Sequence, residues 1–109
     1  MAKQYRVIIA REARDELRKE LEYIRRRSSV QQAKNVNRGV QEAIKSLTIF
    51  PERYQKMEQI GTEQRVYHSF PKWSFLIIYR VEEDVLRVRV VSIFNTNRNP
   101  DKIEDIDGR

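Results

Sequence analysis

The 109-residue sequence has no cysteine and contains only three glycines, three prolines, one histidine and one tryptophan. The lack of cysteine excludes disulfide bonds, thiolate metal ligands and a cysteine nucleophile. The glycines at positions 39, 61 and 108 are too scattered to form a phosphate-binding loop. No run approaches the ~20 apolar residues of a membrane span, and the N-terminal residues lack the shape of a signal peptide. We therefore expect a soluble, cytoplasmic protein that does not bind a membrane and needs no cofactor.

Residues that support common catalytic chemistry are also scarce. His68 is the only histidine, and it lies in an alternating strand pattern, where a packing role is more common than a catalytic one. No histidine and acidic residues have the spacing of a metal site, so we expect no metal. The serines have no histidine at a recognisable spacing for acyl transfer. If the protein is an enzyme, arginine, lysine and tyrosine are left to build a nuclease that stabilises phosphate charge.

Positive charge, in contrast, is abundant. The chain has 22 Lys and Arg against 16 Asp and Glu, a formal charge of +6 and an isoelectric point near 9.8. Residues 1–60 carry the whole excess, while residues 61–109 are balanced. A basic chain favours nucleic acid, an acidic protein or a membrane surface as its partner. The alternative is a solvated basic face without a specific role.

Periodicity predicts one strand and a helical hairpin in the first half. Residues 5–10 (YRVIIA) are typical of a strand. Apolar residues then recur at helical spacing, and the helix is expected to end near the arginines at 25–27. Ser29 is a candidate cap for a second helix over roughly 30–49, which Pro51 would stop. The apolar stripes of the two helices are Ala13, Leu17, Leu21 and Ile24, and Ala33, Val36, Val40, Ala43 or Ile44, and Leu47.

Three further strands are predicted at 65–70, 73–81 and 85–94, with a turn at 82–84. The order β-α-α-β-β-β predicts one α+β domain over residues 1–109, in which the helices cover one face of a small, mainly antiparallel sheet. Residues 101–109 are interpreted as an acidic tail, expected to fray.

Alternation predicts which side chains of the last strand face the core. It assigns Leu86, Val88, Val90, Ser92 and Phe94 to the core face. Arg87 and Arg89 then lie on the opposite face, which could bind an anionic chain. The competing interpretation is that these arginines discourage edge-to-edge aggregation.

The motifs, taken in order, resemble those of a known superfamily. They are ARDEL (13–17), LEYI (21–24), the A-x-x-V and V-x-x-A-I-x-x-L pattern before Pro51, QRV (64–66), FLIIYRV (75–81) and VLRVRVVSIF (85–94). Over about residues 5–100 the chain resembles the RelE/ParE superfamily of toxins from bacterial type II toxin–antitoxin modules, with a layout closer to ParE. The resemblance implies the fold predicted above, growth inhibition, a role in plasmid stabilisation, and an antitoxin that wraps and neutralises the toxin.

The resemblance leaves three functions open. A ParE-like protein would inhibit DNA gyrase by binding it. A RelE-like protein would cleave mRNA at the ribosome without a metal. A third possibility is a non-toxic relative that only binds a partner. The oligomeric state, a homodimer or a toxin–antitoxin hetero-oligomer, is also left open.

The superfamily also suggests site residues. In the nuclease case Arg65, Arg98 and His68 are the catalytic candidates, with Tyr79 as an alternative proton carrier. The candidates for binding the target or its nucleic acid are Arg65, Lys72, Arg80, Arg87, Arg89 and Arg98. Arg98 belongs to the stretch VVSIFNTNRNP (90–100), where nuclease members place a late catalytic residue. Its asparagines are interpreted as a strand-ending turn before Pro100.

Overall fold

The computed structural model describes residues 3–97 and 100–109. Within that part of the chain the predicted α+β class and the order β-α-α-β-β-β are confirmed. The elements are β1 (Arg6–Ile9), α1 (Arg11–Arg27), α2 (Val30–Lys45), β2 (His68–Lys72), β3 (Phe75–Glu82) and β4 (Arg87–Asn95).

The four strands form one sheet in the order β1-β4-β3-β2. β4 pairs antiparallel with β3, and β3 pairs antiparallel with β2. β1 runs parallel to β4 at the edge, which is possible because the helical hairpin carries the chain across the sheet before β4 is reached. The sheet is therefore mainly antiparallel, as predicted.

The helical hairpin forms for the reasons that the sequence indicates. The Ser29 hydroxyl accepts a hydrogen bond from the Gln32 N–H at 3.0 Å, so the predicted cap is confirmed. α2 ends at Lys45, before the predicted limit of 49, because Ser46–Thr48 tighten into a 3₁₀ turn. Among the described residues, no helix is long and apolar enough to cross a membrane.

The apolar stripes of both helices pack on one face of the sheet, as predicted, and form the inner core. Ala13 and Leu17 of α1 meet Val40 and Ile44 of α2 there. The sheet contributes buried side chains from three strands to this core: Phe70, Phe75, Ile77, Tyr79, Val88, Val90 and Ile93.

A β-bulge in β4 changes the face that the end of this strand presents. The register passes from Ile78–Ser92 to Tyr79–Val90, so Val91 has no partner on β3. Beyond this extra residue the alternation is inverted. The predicted core face is therefore wrong at Phe94, which lies on the outer face, and Ile93 takes its place in the inner core.

The outer face of the sheet, opposite the helices, carries a second apolar cluster that the sequence analysis did not predict. Its buried members are Met57, Ile60, Tyr67, Ile78, Val91, Phe94 and Ile106. This cluster covers part of the face on which Arg87 and Arg89 were predicted to lie.

The expectation that residues 101–109 fray is wrong for the residues whose side chains are described. Pro100–Ile106 form a 3₁₀ helix, and Ile106 is 1% exposed in the outer cluster. The Tyr67 hydroxyl accepts a hydrogen bond from the Gly108 N–H at 2.9 Å and donates to the Arg109 carbonyl at 3.2 Å. The C-terminal residues are therefore fastened across the sheet.

β2, β3 and β4 all begin later than predicted, and for β2 and β4 the reason is a turn that precedes the strand. Thr62 and Arg65 close a tight turn through two backbone hydrogen bonds of 2.9 and 3.2 Å, so β2 starts at His68. Leu86 has a left-handed φ of 48° and is 39% exposed, so it ends a turn and β4 begins at Arg87. Leu86 was expected on the core face, and that expectation is wrong.

Candidate functional site

Charged side chains occupy the part of the outer face that the apolar cluster leaves open. The register sets Arg80 opposite Arg89, and Glu82 opposite Arg87. Since Ile78 lies in the outer cluster, Arg80 and Glu82 extend the same face along β3. The parallel pairing adds Arg6 beside Arg87. We call these residues (Arg6, Arg80, Glu82, Arg87 and Arg89) the basic half of the outer face.

Glu82 is the carboxylate at the centre of the basic half. Arg87 donates to it through Nε at 2.7 Å, and the Nε of Arg89 lies 3.6 Å from the same oxygen. The hydrogen bond from Arg87 is the main cause that lowers the pKa of Glu82, and the same bond raises the pKa of Arg87. One carboxylate therefore serves two arginines, and the basic half keeps a net positive charge.

Arg80, like Arg6, forms no ion pair with Glu82 among the described contacts. Its Nε is buried, and no hydrogen-bond partner for it exists among the described residues. An unsatisfied buried donor is unfavourable, and so is a like-charged pair directly across two strands, such as Arg80 and Arg89. An anion bound here would relieve both.

A polar cleft opens where Arg80 reaches the sheet edge. Because β2 begins at His68, opposite Tyr79, β3 continues past the start of β2. The exposed edge and the turn before β2 enclose about 370 Å³, lined by Glu52, Lys56, Gln64, Arg65, Val66, His68, Arg80 and Val81. The structure thus brings together three predicted site residues, Arg65, His68 and Arg80.

His68 lies in this cleft but is held mainly by packing. It is 7% exposed, and its ring stacks on Tyr79 with centroids 5.4 Å apart. Its Nδ1 is 2.9 Å from the Tyr54 carbonyl oxygen, to which it donates. This contact fixes the ring and commits one of its two nitrogens.

Tyr79, the alternative proton carrier, is fully buried in the inner core. Its hydroxyl donates to the Pro51 carbonyl. Burial raises the pKa of Tyr79 well above the ordinary tyrosine value. The hydroxyl faces the protein interior rather than the cleft.

The remaining predicted site residues do not join the cleft. Lys72 ends β2, four residues beyond His68, which at about 3.3 Å per residue places it roughly 13 Å away. There its ammonium stacks on Trp73 at 4.5 Å from the ring centroid. Arg87 and Arg89 lie on the open face beside the cleft and are engaged by Glu82. Arg98 lies outside the described residues.

Sequence reasoning missed Lys56 and Glu52, which both line the cleft. They belong to the connection between α2 and β2, where no periodicity indicates a structure. Lys56 reaches the site because it forms an isolated antiparallel bridge with His68. Among the described residues, no group of three or more His, Cys, Asp and Glu side chains could hold a metal ion.

A second surface with binding character lies between the helices. α1 and α2 enclose a groove of about 620 Å³ with an apolar floor of Ile9, Leu17, Leu21, Val30 and Ala33. Its rim carries Arg14, Arg18, Arg25 and Lys34 among other polar residues. An apolar floor between basic rims suits an amphipathic segment with acidic flanks.

A helical hairpin on a four-stranded, mostly antiparallel sheet is an α+β fold consistent with that of the RelE/ParE superfamily. The comparison with known families gives the particular one. The family described as "ParE toxin of type II toxin-antitoxin system, parDE" matches residues 7–100, so the chain belongs to this family. The resemblance to the RelE/ParE superfamily is thereby confirmed. No curated protein matches the chain.

Membership of this family makes the chain a toxin of a type II toxin–antitoxin system, and it implies an antitoxin as its partner.

Proposed function

We propose that this toxin inhibits DNA gyrase by binding it in the cytoplasm, and that it does not cleave RNA. The state of the two candidate proton carriers supports this. An RNA-cleaving site needs a side chain that can move a proton at the scissile phosphate. His68 is packed against Tyr79 and fixed on the Tyr54 carbonyl, while Tyr79 is buried and donates to Pro51.

The cleft holds cations that could bind a phosphate, while the two proton carriers predicted from the sequence are engaged by other contacts. Arg65, Arg80 and Lys56 can hold an anion and stabilise negative charge. Arginine does not deprotonate in proteins, so it cannot serve as a general base. A cationic cleft of this kind fits the recognition of an acidic protein surface or of a phosphate backbone on the target.

One observation favours a RelE-like mRNA endonuclease as the second candidate. Arg65, Arg80 and His68 do converge on one cleft. In that case the arginines would hold the RNA phosphate, and the nitrogen of His68 that is not bonded to Tyr54 would take part in proton transfer.

Pulse labelling after induced expression, in a bacterium without the antitoxin, separates these candidates. Thymidine and amino-acid incorporation are followed over the first minutes. We expect DNA synthesis to stop first, and purified toxin to inhibit gyrase supercoiling. We also expect His68→Gln to remain fully toxic, because glutamine keeps a donor for the Tyr54 carbonyl.

If protein synthesis stops first and His68→Gln abolishes toxicity, the nuclease assignment replaces the gyrase proposal. Growth that is unaffected by strong expression would instead indicate a non-toxic relative. Arg65→Ala is compared with His68→Gln. If the cleft only binds a target, Arg65→Ala should reduce toxicity and His68→Gln should not. If the cleft is a nuclease site, both variants should lose toxicity.

For the antitoxin we propose the groove between α1 and α2 as the main contact. Its apolar floor and basic rim complement an amphipathic acidic segment. Val30 lines this groove and is 52% exposed, whereas Val85 has a similar exposure of 55% and does not line it. The two valines therefore form a matched pair for a test.

Val30→Glu should weaken antitoxin binding by at least tenfold, about 1.4 kcal/mol, since it places a carboxylate on the apolar floor. Val85→Glu should leave the affinity within twofold. Isothermal titration of the purified toxin with its antitoxin measures both. Equal effects of the two variants would place the antitoxin elsewhere on the toxin.

A further inference from the structure

The turn between β2 and β3 presents a tryptophan to solvent. Trp73 is 60% exposed and has a left-handed φ of 54°. Bulky residues rarely adopt this conformation, which favours glycine or asparagine. The turn thus holds its least suitable type of residue at the surface.

A glycine in α2 makes room for the indole. A Cβ atom on Gly39 would lie 2.2 Å from Cη2 of Trp73, so any larger residue at position 39 would force the ring to shift. Glycine in a helix interior weakens the helix. The chain accepts an unfavourable turn and an unfavourable helix residue to seat one exposed ring. Such a preorganised aromatic side chain is typical of a binding site.

Trp73 borders a cleft of about 460 Å³ between both helices and the ends of β3 and β4. Tyr23 of α1 lines the same cleft. Each of these aromatic rings carries a cation: Lys72 lies 4.5 Å from the Trp73 centroid, and Arg27 lies 5.5 Å from the Tyr23 centroid. Gln32, Asn35 and Asn95 also line this cleft. The Asn35 Oδ1 accepts hydrogen bonds from Gln31 and Arg38, and the Asn95 Nδ2 donates to Glu20.

We propose that the Trp73 cleft binds an unpaired base of a single-stranded nucleic acid. The base would take the place of Lys72 over the Trp73 ring and stack there, as bases do on aromatic platforms in proteins that bind single strands. Lys72 and Arg27 would contact the flanking phosphates. Amide side chains offer both donors and acceptors, which suits the hydrogen-bonding edges of a base.

The exposed ring favours a nucleic acid over an acidic protein segment. An acidic segment would use the two cations, but its carboxylates offer no planar ring to stack on Trp73. Glu20 is the carboxylate that lines the cleft, and Asn95 donates to it at 3.0 Å. This site is separate from the cleft at Arg65 and Arg80, so it does not depend on the proposed action on gyrase.

Trp73 is the only tryptophan in the chain, so its fluorescence reports directly on the cleft. The experiment titrates the purified toxin with oligothymidylate and follows quenching of the tryptophan emission. We expect saturable quenching. The logarithm of the binding constant should fall with the logarithm of salt concentration with a slope of about −1.4, from two phosphate contacts at about −0.7 each.

Three variants are compared by the anisotropy of a fluorescein-labelled oligothymidylate. Trp73→Gly suits the left-handed φ and removes the ring, so it should weaken binding about tenfold to a hundredfold. Lys72→Gln should weaken binding less and reduce the salt slope. Phe50→Gly is the matched control, because Phe50 is also aromatic, exposed and left-handed (66% exposed, φ 50°) but lies outside this cleft.

The proposal is overturned if the oligonucleotide does not bind. It is also overturned if Trp73→Gly binds as tightly as Phe50→Gly, since binding would then be electrostatic and located elsewhere. If a glutamate-rich peptide shifts the tryptophan emission and oligothymidylate does not, the cleft is a protein-binding site instead. Thermal unfolding of each variant checks that the fold is intact, and none of these measurements involves gyrase.

Discussion

The outer face of the sheet has an apolar half, formed by the outer cluster, and the basic half defined above. Both halves are built on β3 and β4, but only the apolar half is covered by other parts of the chain. In the apolar half, Ile78, Val91 and Phe94 are covered by Tyr67 and Ile106. In the basic half, Arg80 and Arg89 stand opposite each other and are partly open to solvent. Each buried apolar side chain stabilises a fold by about 1.5–3 kcal/mol. A charged side chain without a partner makes no such contribution to the free energy of unfolding. The apolar half therefore supplies stability, and the basic half is available for binding.

The largest test of this division concerns Ile106, which is 1% exposed. Ile106→Ala should lower the free energy of unfolding by about 2–5 kcal/mol, because it leaves a cavity in the outer cluster. Denaturant unfolding measures the change. Ile49→Ala is the control, since Ile49 is 42% exposed and should change stability by less than about 0.5 kcal/mol. Similar losses in both variants would contradict a structural role for the C-terminal residues.

A smaller loss is expected from Tyr67→Phe. The Tyr67 hydroxyl bonds to the Gly108 N–H and the Arg109 carbonyl, and its removal leaves both without this partner. We expect a decrease of about 1–3 kcal/mol. Hydrogen exchange should show the Gly108 amide losing its protection, while the amides of β3 keep theirs. Unchanged exchange at Gly108 would show that this hydroxyl does not fasten the end of the chain.

The basic half should behave in the opposite way. Arg80→Met removes a buried Nε that has no partner among the described residues and keeps most of the side-chain volume. We expect stability to stay within about 1 kcal/mol of the wild type or to rise. The toxin concentration for half-inhibition of gyrase should increase about tenfold. A variant that is less stable yet inhibits gyrase fully would show that Arg80 stabilises the fold and does not bind the target.

The smallest effect concerns the pH dependence that Glu82 brings. Its pKa is lowered from the ordinary 4.5, chiefly by the hydrogen bond from Arg87. The folded protein then favours the ionised form more than the unfolded chain does, so this contribution is complete above about pH 4.5 and declines as the pH falls through the lowered pKa. Glu82→Gln should flatten the stability curve in that acid range by less than about 1 kcal/mol. Parallel curves for the two proteins would show that the Glu82–Arg87 pair does not contribute.

The sequence predicts the inner core well because its signals are local and repeated. The spacing of Ala13 and Leu17 places both on one helical face, and Ser29 marks the start of α2 through its own hydroxyl. Arg87 and Arg89 were placed on the outer face correctly, since their neighbours Val88 and Val90 are strongly apolar and mark the opposite face.

The outer cluster and the cleft depend on signals that are not local. The bulge at Val91 is hidden because the chain is apolar on both sides of it, so either register satisfies the pattern. Ile103 and Ile106, three residues apart in an acidic segment, were the signal for a packed helical turn at the end of the chain. The sequence analysis chose Lys72 as a site residue, but Lys56 is the lysine that lies beside His68. Strand pairing, and not position along the chain, decides which lysine reaches His68.

The parallel pairing of β1 with β4 also sets the point in synthesis at which the basic half of the outer face can form. β1 is synthesised first, but its only partner strand among the described residues follows about 80 residues later. At translation speeds of about 5–20 residues per second, this separation lasts roughly 4–16 seconds. Arg6, Arg80, Arg87 and Arg89 meet only when β4 has emerged. The basic half of the outer face therefore forms only after the chain has been synthesised through β4, and its charges are not assembled earlier.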